Sequence, residues 1–139
     1  MSNDFEQISL KPGFMKYNGG VLFKTISQNE YHFKTTIREN HLNAAGITHG
    51  GFIAALVDAG AGTAAHRAVD GSPCVTISLE LKFISTVRLG QELFGNTKIK
   101  KKTKSMIFLT CELTVKNKIV ATASGVWKIL KLSGAGPGG

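Results

Sequence analysis

The chain is short of the features that mark exported, membrane-spanning or metal-caged proteins. Only two of its 139 residues are cysteines, Cys74 and Cys111. Their separation suits neither a disulfide framework nor a thiolate cage, so both read as small core residues. No stretch approaches the roughly 18 uninterrupted apolar residues of a membrane helix. The opening Met1-Ser2-Asn3-Asp4-Phe5-Glu6 is acidic where a signal peptide is basic, so a cytoplasmic protein without membrane contact is expected. The four histidines, His32, His41, His49 and His66, include no pair at the spacing of a helical metal motif, and no metal is expected. Acids are scarce too. Nine Asp plus Glu against 17 Lys plus Arg leave a net charge of +8, which favours an anionic partner.

No repeat or linker divides the chain, and its length suits one domain. Residues 1–20 read as an irregular segment, with at most a helical turn around Phe5 to Leu10, and Gly-rich residues 133–139 as a flexible tail. Between them, 21–132 carry the pattern of a folded domain. Val21 to Ile26 and Tyr31 to Ile37 are β-branched and aromatic runs that form a hairpin. Gly50 to about Val69 is Ala-rich without alternation and reads as the one long helix. Then Val75, Ile77, Leu79, Leu81 and Phe83 alternate with polar residues, the period of a strand. Strands follow at Glu92 to Lys101, Met106 to Val115 and Ile119 to Lys131. Two strands, one helix and four strands predict an α+β domain, an antiparallel sheet wrapped around one long central helix.

Two features of that helix point to chemistry. Asp58 is an isolated carboxylate in an apolar segment, costly unless paired or used. Gly50-Gly51 open the helix where free backbone N–H groups and the dipole suit a developing oxyanion, and His49 before them can orient the turn. Gly50 and Asp58 lie eight residues apart, about 12 Å along a helix at roughly 1.5 Å per residue. One carbonyl cannot touch both. Two copies of the helix, head to tail across a two-fold axis, bring Asp58 of one chain to Gly50 of the other, with Gly60 and Gly62 expected to let the helices approach. A homodimer with active sites at the subunit interface is therefore expected, alone or as a dimer of dimers.

The run Asn43-Ala44-Ala45-Gly46-Ile47-Thr48-His49-Gly50-Gly51, followed by Asp58, resembles the signature of the hotdog-fold thioesterases, in particular the PaaI-like acyl-CoA thioesterases. Phe83-Ile84-Ser85 leading to Leu89-Gly90 is similar to a turn of that family. The resemblance implies hydrolysis of an acyl-CoA thioester, with Asp58 as nucleophile or general base. Gly51 with its neighbour Gly50 would polarise the carbonyl, Asn43 would be the loop amide near the thioester, and Thr76 the hydroxyl holding the water or the carboxylate. No cofactor is implied, coenzyme A being part of the substrate.

The basic run Lys98, Lys100, Lys101, Lys102 and Lys104, with Arg67 and Arg88, reads either as a solvated hairpin tip or as a rim for coenzyme A phosphates. It lacks the interleaved aromatics of a nucleic-acid surface. Two other readings compete with hydrolysis. One is a hydratase or dehydratase of the same fold, pairing a His with a carboxylate; the other is a non-enzymatic acyl-CoA-binding module.

Overall fold

The computed structural model describes residues 4–130. The tail expected from Ser133 onward lies outside the described residues. Seven strands form one antiparallel sheet in the order β1-β2-β3-β5-β6-β7-β4. They are β1 (Glu6–Gln7), β2 (Leu22–Ser27), β3 (Glu30–Thr36), β4 (Cys74–Phe83), β5 (Glu92–Lys102), β6 (Met106–Val115) and β7 (Lys118–Ile129). A helical turn α1 (Phe14–Tyr17) precedes β2, and the 19-residue helix α2 (Gly50–Ala68) lies between β3 and β4. This is the expected α+β hotdog arrangement, one long helix packed on an antiparallel sheet. No helix among the described residues is long and apolar enough to cross a membrane.

The core is the inward face of the sheet against one side of α2. Phe23, Phe33, Leu93, Ile107, Leu113 and Trp127 meet Leu56, Val57, Ala61 and Ala64, all buried. The helix turns mostly Ala and Gly to the sheet, which draws the sheet close and lets its large side chains fill the volume. The β6–β7 hairpin closes on Lys116 and Asn117, both at positive φ (50° and 67°), as a two-residue turn matched to strand twist requires.

Two expectations are corrected, for residues 5–10 and for Gly60, and β4 carries a bulge that its alternation does not show. Residues 5–10 form no helical turn: Glu6 and Gln7 pair with Phe23 and Leu22. Gln7 Oε1 accepts the N–H groups of Ser9 (2.9 Å) and Val21 (3.0 Å), so long-range pairing wins over local propensity; the helical turn comes later, at α1. The alternation of β4 does not place all its apolar residues inward. Register shifts between Thr76 and Ser78, and Ile77 is the bulged residue. Cys74, Leu79 and Leu81 pack against the core, and Thr76 stands opposite the buried Trp127. Val75 and Ile77 are left 43% and 53% exposed.

Gly60, finally, serves the chain's own sheet, whereas Gly62 is half-buried and has room for a Cβ. A Cβ on Gly60 would stand 2.5 Å from the Phe33 ring, and one on Gly62 would stand 3.4 Å from Trp127 Nε1. Phe33 is fully buried and also lies against Gly95 on β5, so it has nowhere to retreat. Gly60→Ala should therefore lower stability by about 1–3 kcal/mol of overpacking, more than the roughly 1 kcal/mol that Ala gains in a helix interior. Thermal melts check this, and adding Phe33→Leu should restore part of the loss.

Candidate active site

The segment before α2 is pinned to the fold by its backbone. Thr48 N–H and Oγ1–H both donate to Val87 O (2.9 and 2.7 Å), and His49 N–H donates to His41 O (2.8 Å). Upstream, Asn43 Oδ1 accepts from the N–H groups of Ala45 (2.9 Å) and Ile47 (3.3 Å), a side-chain turn. Gly46 takes the left-handed conformation this loop needs (φ 79°). A cleft of about 310 Å³ opens at the helix start, bordered by Asn43, Ile47, Gly50, Phe83 and Ile84.

His49 is the N-cap of α2, and its ring Nδ1 accepts from Gly51 N–H (2.7 Å). Of the two glycine donors, Gly51's is therefore already engaged. Gly50 N–H makes no hydrogen bond among the described residues and lies at the cleft, at the positive end of the helix dipole. The sequence pair Gly50-Gly51 gave no way to tell them apart; the ring of His49 does.

Two turns along the helix, Asp58 is exposed and its Oδ1 accepts from Thr76 Oγ1–H (2.7 Å). The bulge at Ile77 is what turns Thr76 toward the helix. One chain thus brings Asp58 and Thr76 together, and separately Asn43, His49 and Gly50. The two groups remain about two helical turns apart on α2.

The basic residues are not gathered at either place. β5 has its own register shift between Ile99 and Lys101. Lys98, Lys100 and Lys101 are exposed, and the buried Thr97 beside Lys98 faces the core, so these lysines project from the sheet face away from α2. Lys102 instead donates from Nζ to Ala68 O (2.9 Å), covering a carbonyl at the negative end of the helix. Arg67 pairs with Glu6 and lies 4.8 Å above the Phe23 ring, tying β1 to the domain. Arg88 is exposed in the loop after β4, where its N–H donates to Gln91 Oε1 (2.8 Å).

His41 is a structural residue that sequence reading missed, because a lone histidine in a loop carries no periodic signal. It is buried and stacked on Phe52, ring centroids 3.7 Å apart. Nδ1 accepts from Arg38 N–H (2.9 Å), and Nε2–H donates to Asn18 O (2.6 Å). Burial first, then the Arg38 charge, lowers its pKa from 6.5, with the bond to Asn18 pulling the other way. The folded chain therefore binds fewer protons at His41 than the unfolded chain, and stability falls as pH drops below about 6.5. Melting temperature between pH 8 and 5 should show this acid limb in the native protein and a shallower one in His41→Gln; parallel curves would contradict it. The cysteines behave as core residues: the buried Cys111 thiol is pushed up to about 12 by desolvation, and half-buried Cys74 is raised for the same reason.

Comparison with known proteins adds a family to this geometry. The thioesterase superfamily model matches residues 45–122, more than half of the chain. The chain belongs to the thioesterase superfamily. It is 36% identical over 94 residues, 67% of this chain and 70% of the other, to a protein assigned as an esterase in Pseudomonas aeruginosa. Human acyl-coenzyme A thioesterase 13 is 31% identical over 103 residues, 74% of either chain. A variant of the phenylacetic acid degradation protein PaaI from Thermus thermophilus shares the fold with a TM-score of 0.76 at 23% identity, covering 84% of this chain and 98% of that one. The superfamily and its fold are those the sequence resemblance implied, and the chain is an enzyme of the thioester hydrolase class.

Proposed function

We propose that the protein hydrolyses acyl-CoA thioesters at a site shared by two chains, Asp58 from one and Gly50 N–H from the other. The observation that carries this reading is the pairing of a Thr76-bound, solvent-facing carboxylate with an unengaged N–H two turns away on the same helix. Each half is present in one chain, but the two do not meet there. The edge strand supports association: β4 is ten residues long and, among the described residues, unpaired on its outer side. Exposed Val75, Ile77, Phe83 and Ile84 line it or follow it, an apolar edge of the kind that invites pairing.

In the mechanism, the thioester carbonyl oxygen lies against Gly50 N–H in the cleft. That donor and the helix dipole stabilise the charge that develops as the carbonyl carbon becomes tetrahedral. Asp58 of the facing chain either attacks that carbon, giving an anhydride that water then opens, or takes a proton from a water that attacks it. Either way the C–S bond breaks and the thiolate of coenzyme A leaves. Thr76 fixes the carboxylate by donating to Oδ1, leaving Oδ2 for the reaction. His49 holds Gly51 and so sets the first turn that presents Gly50; the Asn43 amide borders the same cleft. With its Nδ1 spent on Gly51 N–H, His49 is poorly placed for an acid–base pairing with Asp58, which disfavours hydratase chemistry. Lys98, Lys100, Lys101 and Arg88 contribute to the positive field that draws the anionic substrate in, as steering charges.

Steady-state release of free thiol from a panel of acyl-CoA substrates, with sedimentation to establish the assembly, tests the reading. A dimer or dimer of dimers that releases thiol supports it; a fully active monomer overturns the shared site.

A further inference from the structure

Trp127 is the largest side chain of the core, 2% exposed, and two glycines fix how its ring lies. The edge carrying Cζ3 and Cη2 covers Gly125, where a Cβ would collide with it, and the edge carrying Nε1 faces Gly62 on α2, where a Cβ would stand 3.4 Å away. A buried indole N–H normally has an acceptor. The described residues give this one none, yet it is not sealed in the core: the buried side-chain polar atoms without a partner among them are Asn96 Oδ1 and Thr97 Oγ1. Trp127 Nε1–H therefore opens outward past Gly62, a residue with no side chain to cover it.

That opening lies beside the carboxylate. Trp127 and Thr76 stand opposite each other on β7 and β4, so their side chains leave the same face of the sheet about 5 Å apart. Both reach α2. Thr76 Oγ1–H donates to Asp58 Oδ1 (2.7 Å), and the indole meets Gly62, which follows Asp58 by one turn on the same helix face. We propose that Trp127 Nε1–H positions the water of the hydrolysis, donating to the water oxygen while the water donates to Asp58 Oδ2. In direct attack, that oxygen bonds to the carbonyl carbon as its proton passes to Oδ2, and the C–S electron pair leaves on sulfur. Where Asp58 attacks first, the same water opens the acyl–Oδ2 bond, releasing the acid, the restored carboxylate and a proton. Gly62 then has a task of its own, which is to leave the indole N–H uncovered.

The inference rests on the thioesterase reading, and one experiment separates the two. Thiol release from the best substrate of the acyl-CoA panel, thermal melts and sedimentation are measured on Gly62→Ala, on Trp127→Phe and on the double variant. The methyl of Gly62→Ala sits at ordinary contact distance from Nε1 and shields it, and Ala is the better helix former. This variant should melt no lower than the native protein while its kcat falls about tenfold, the worth of one hydrogen bond, at unchanged KM. Trp127→Phe removes the N–H and keeps an aromatic ring in the core; its kcat should fall by the same factor. The double variant should lose no more than either single one, because both remove the same donor. A merely structural role would lower the melting temperature and give losses that add. Native kcat in folded, assembled Gly62→Ala, or additive losses, would overturn the water-positioning role and leave the thioesterase reading standing. Should Gly62→Ala fail to assemble, Trp127→Phe decides: native kcat overturns the role, and a tenfold loss at native KM supports it. Native protein inert toward every CoA thioester would overturn both.

Discussion

Asp58→Asn is expected to lower kcat by about 10²–10⁴-fold, the range for loss of a positioned acid–base group, with KM changed little. Asn is close in shape to Asp and keeps an oxygen to accept from Thr76 Oγ1, so the edge-strand contact (2.7 Å in the native chain) survives. The carboxylate faces solvent, and its loss neither empties a cavity nor strands a buried partner, so the melting temperature and the assembly should stay near native. Turnover assayed as thiol release, beside sedimentation, separates a chemical defect from a structural one. Native turnover in the variant would remove Asp58 from the reaction.

The second large effect is expected at Gly50, through its backbone. Gly50→Pro deletes one N–H and little else. Gly50 is the first residue of α2, the position where proline is best tolerated because that N–H has no helical acceptor. His49 before it is extended (φ −65°, ψ 131°), the conformation that a following proline favours. Loss of an oxyanion donor costs about 10²–10³ in kcat. Gly50→Ala is the control, since it keeps the N–H while adding a Cβ that would meet the Phe83 ring at 3.4 Å, ordinary contact. A collapse of kcat in the proline variant and near-native turnover in the alanine variant would assign the effect to the donor. Equal losses in both would assign it to crowding against Phe83.

Much of this was legible in the sequence, and the failures share a cause. Element order and the long helix follow from local patterns, as do the glycine tip and the lone helix carboxylate. What local pattern misses is pairing at a distance. The partner of Glu6 and Gln7 is β2, so no window around them reveals a strand. The bulge at Ile77 changes which residues face inward, and with it brings Thr76 to Asp58, although the alternation from Val75 to Phe83 looks unbroken. Gly60 was assigned to a neighbouring helix because composition cannot show that Phe33 occupies the space a Cβ would need. The lysines form one run in sequence, but β5 sends Lys98, Lys100 and Lys101 to the outer face and Lys102 to the helix end. The orienting role of His49 was legible and only its partner, Gly51 N–H, was not; His41 became visible only once its ring was seen to hold Asn18 O.

The most direct test of a site built from two chains mixes the two inactive variants. Asp58→Asn and Gly50→Pro chains are co-refolded in equal amounts, and thiol release is compared with either variant alone. In a mixed dimer one site carries both lesions and the other carries neither. With half of the dimers mixed and one of two sites intact in each, activity should recover to about one quarter of native. Mixed dimers that form and stay as inactive as their parents would contradict the shared site.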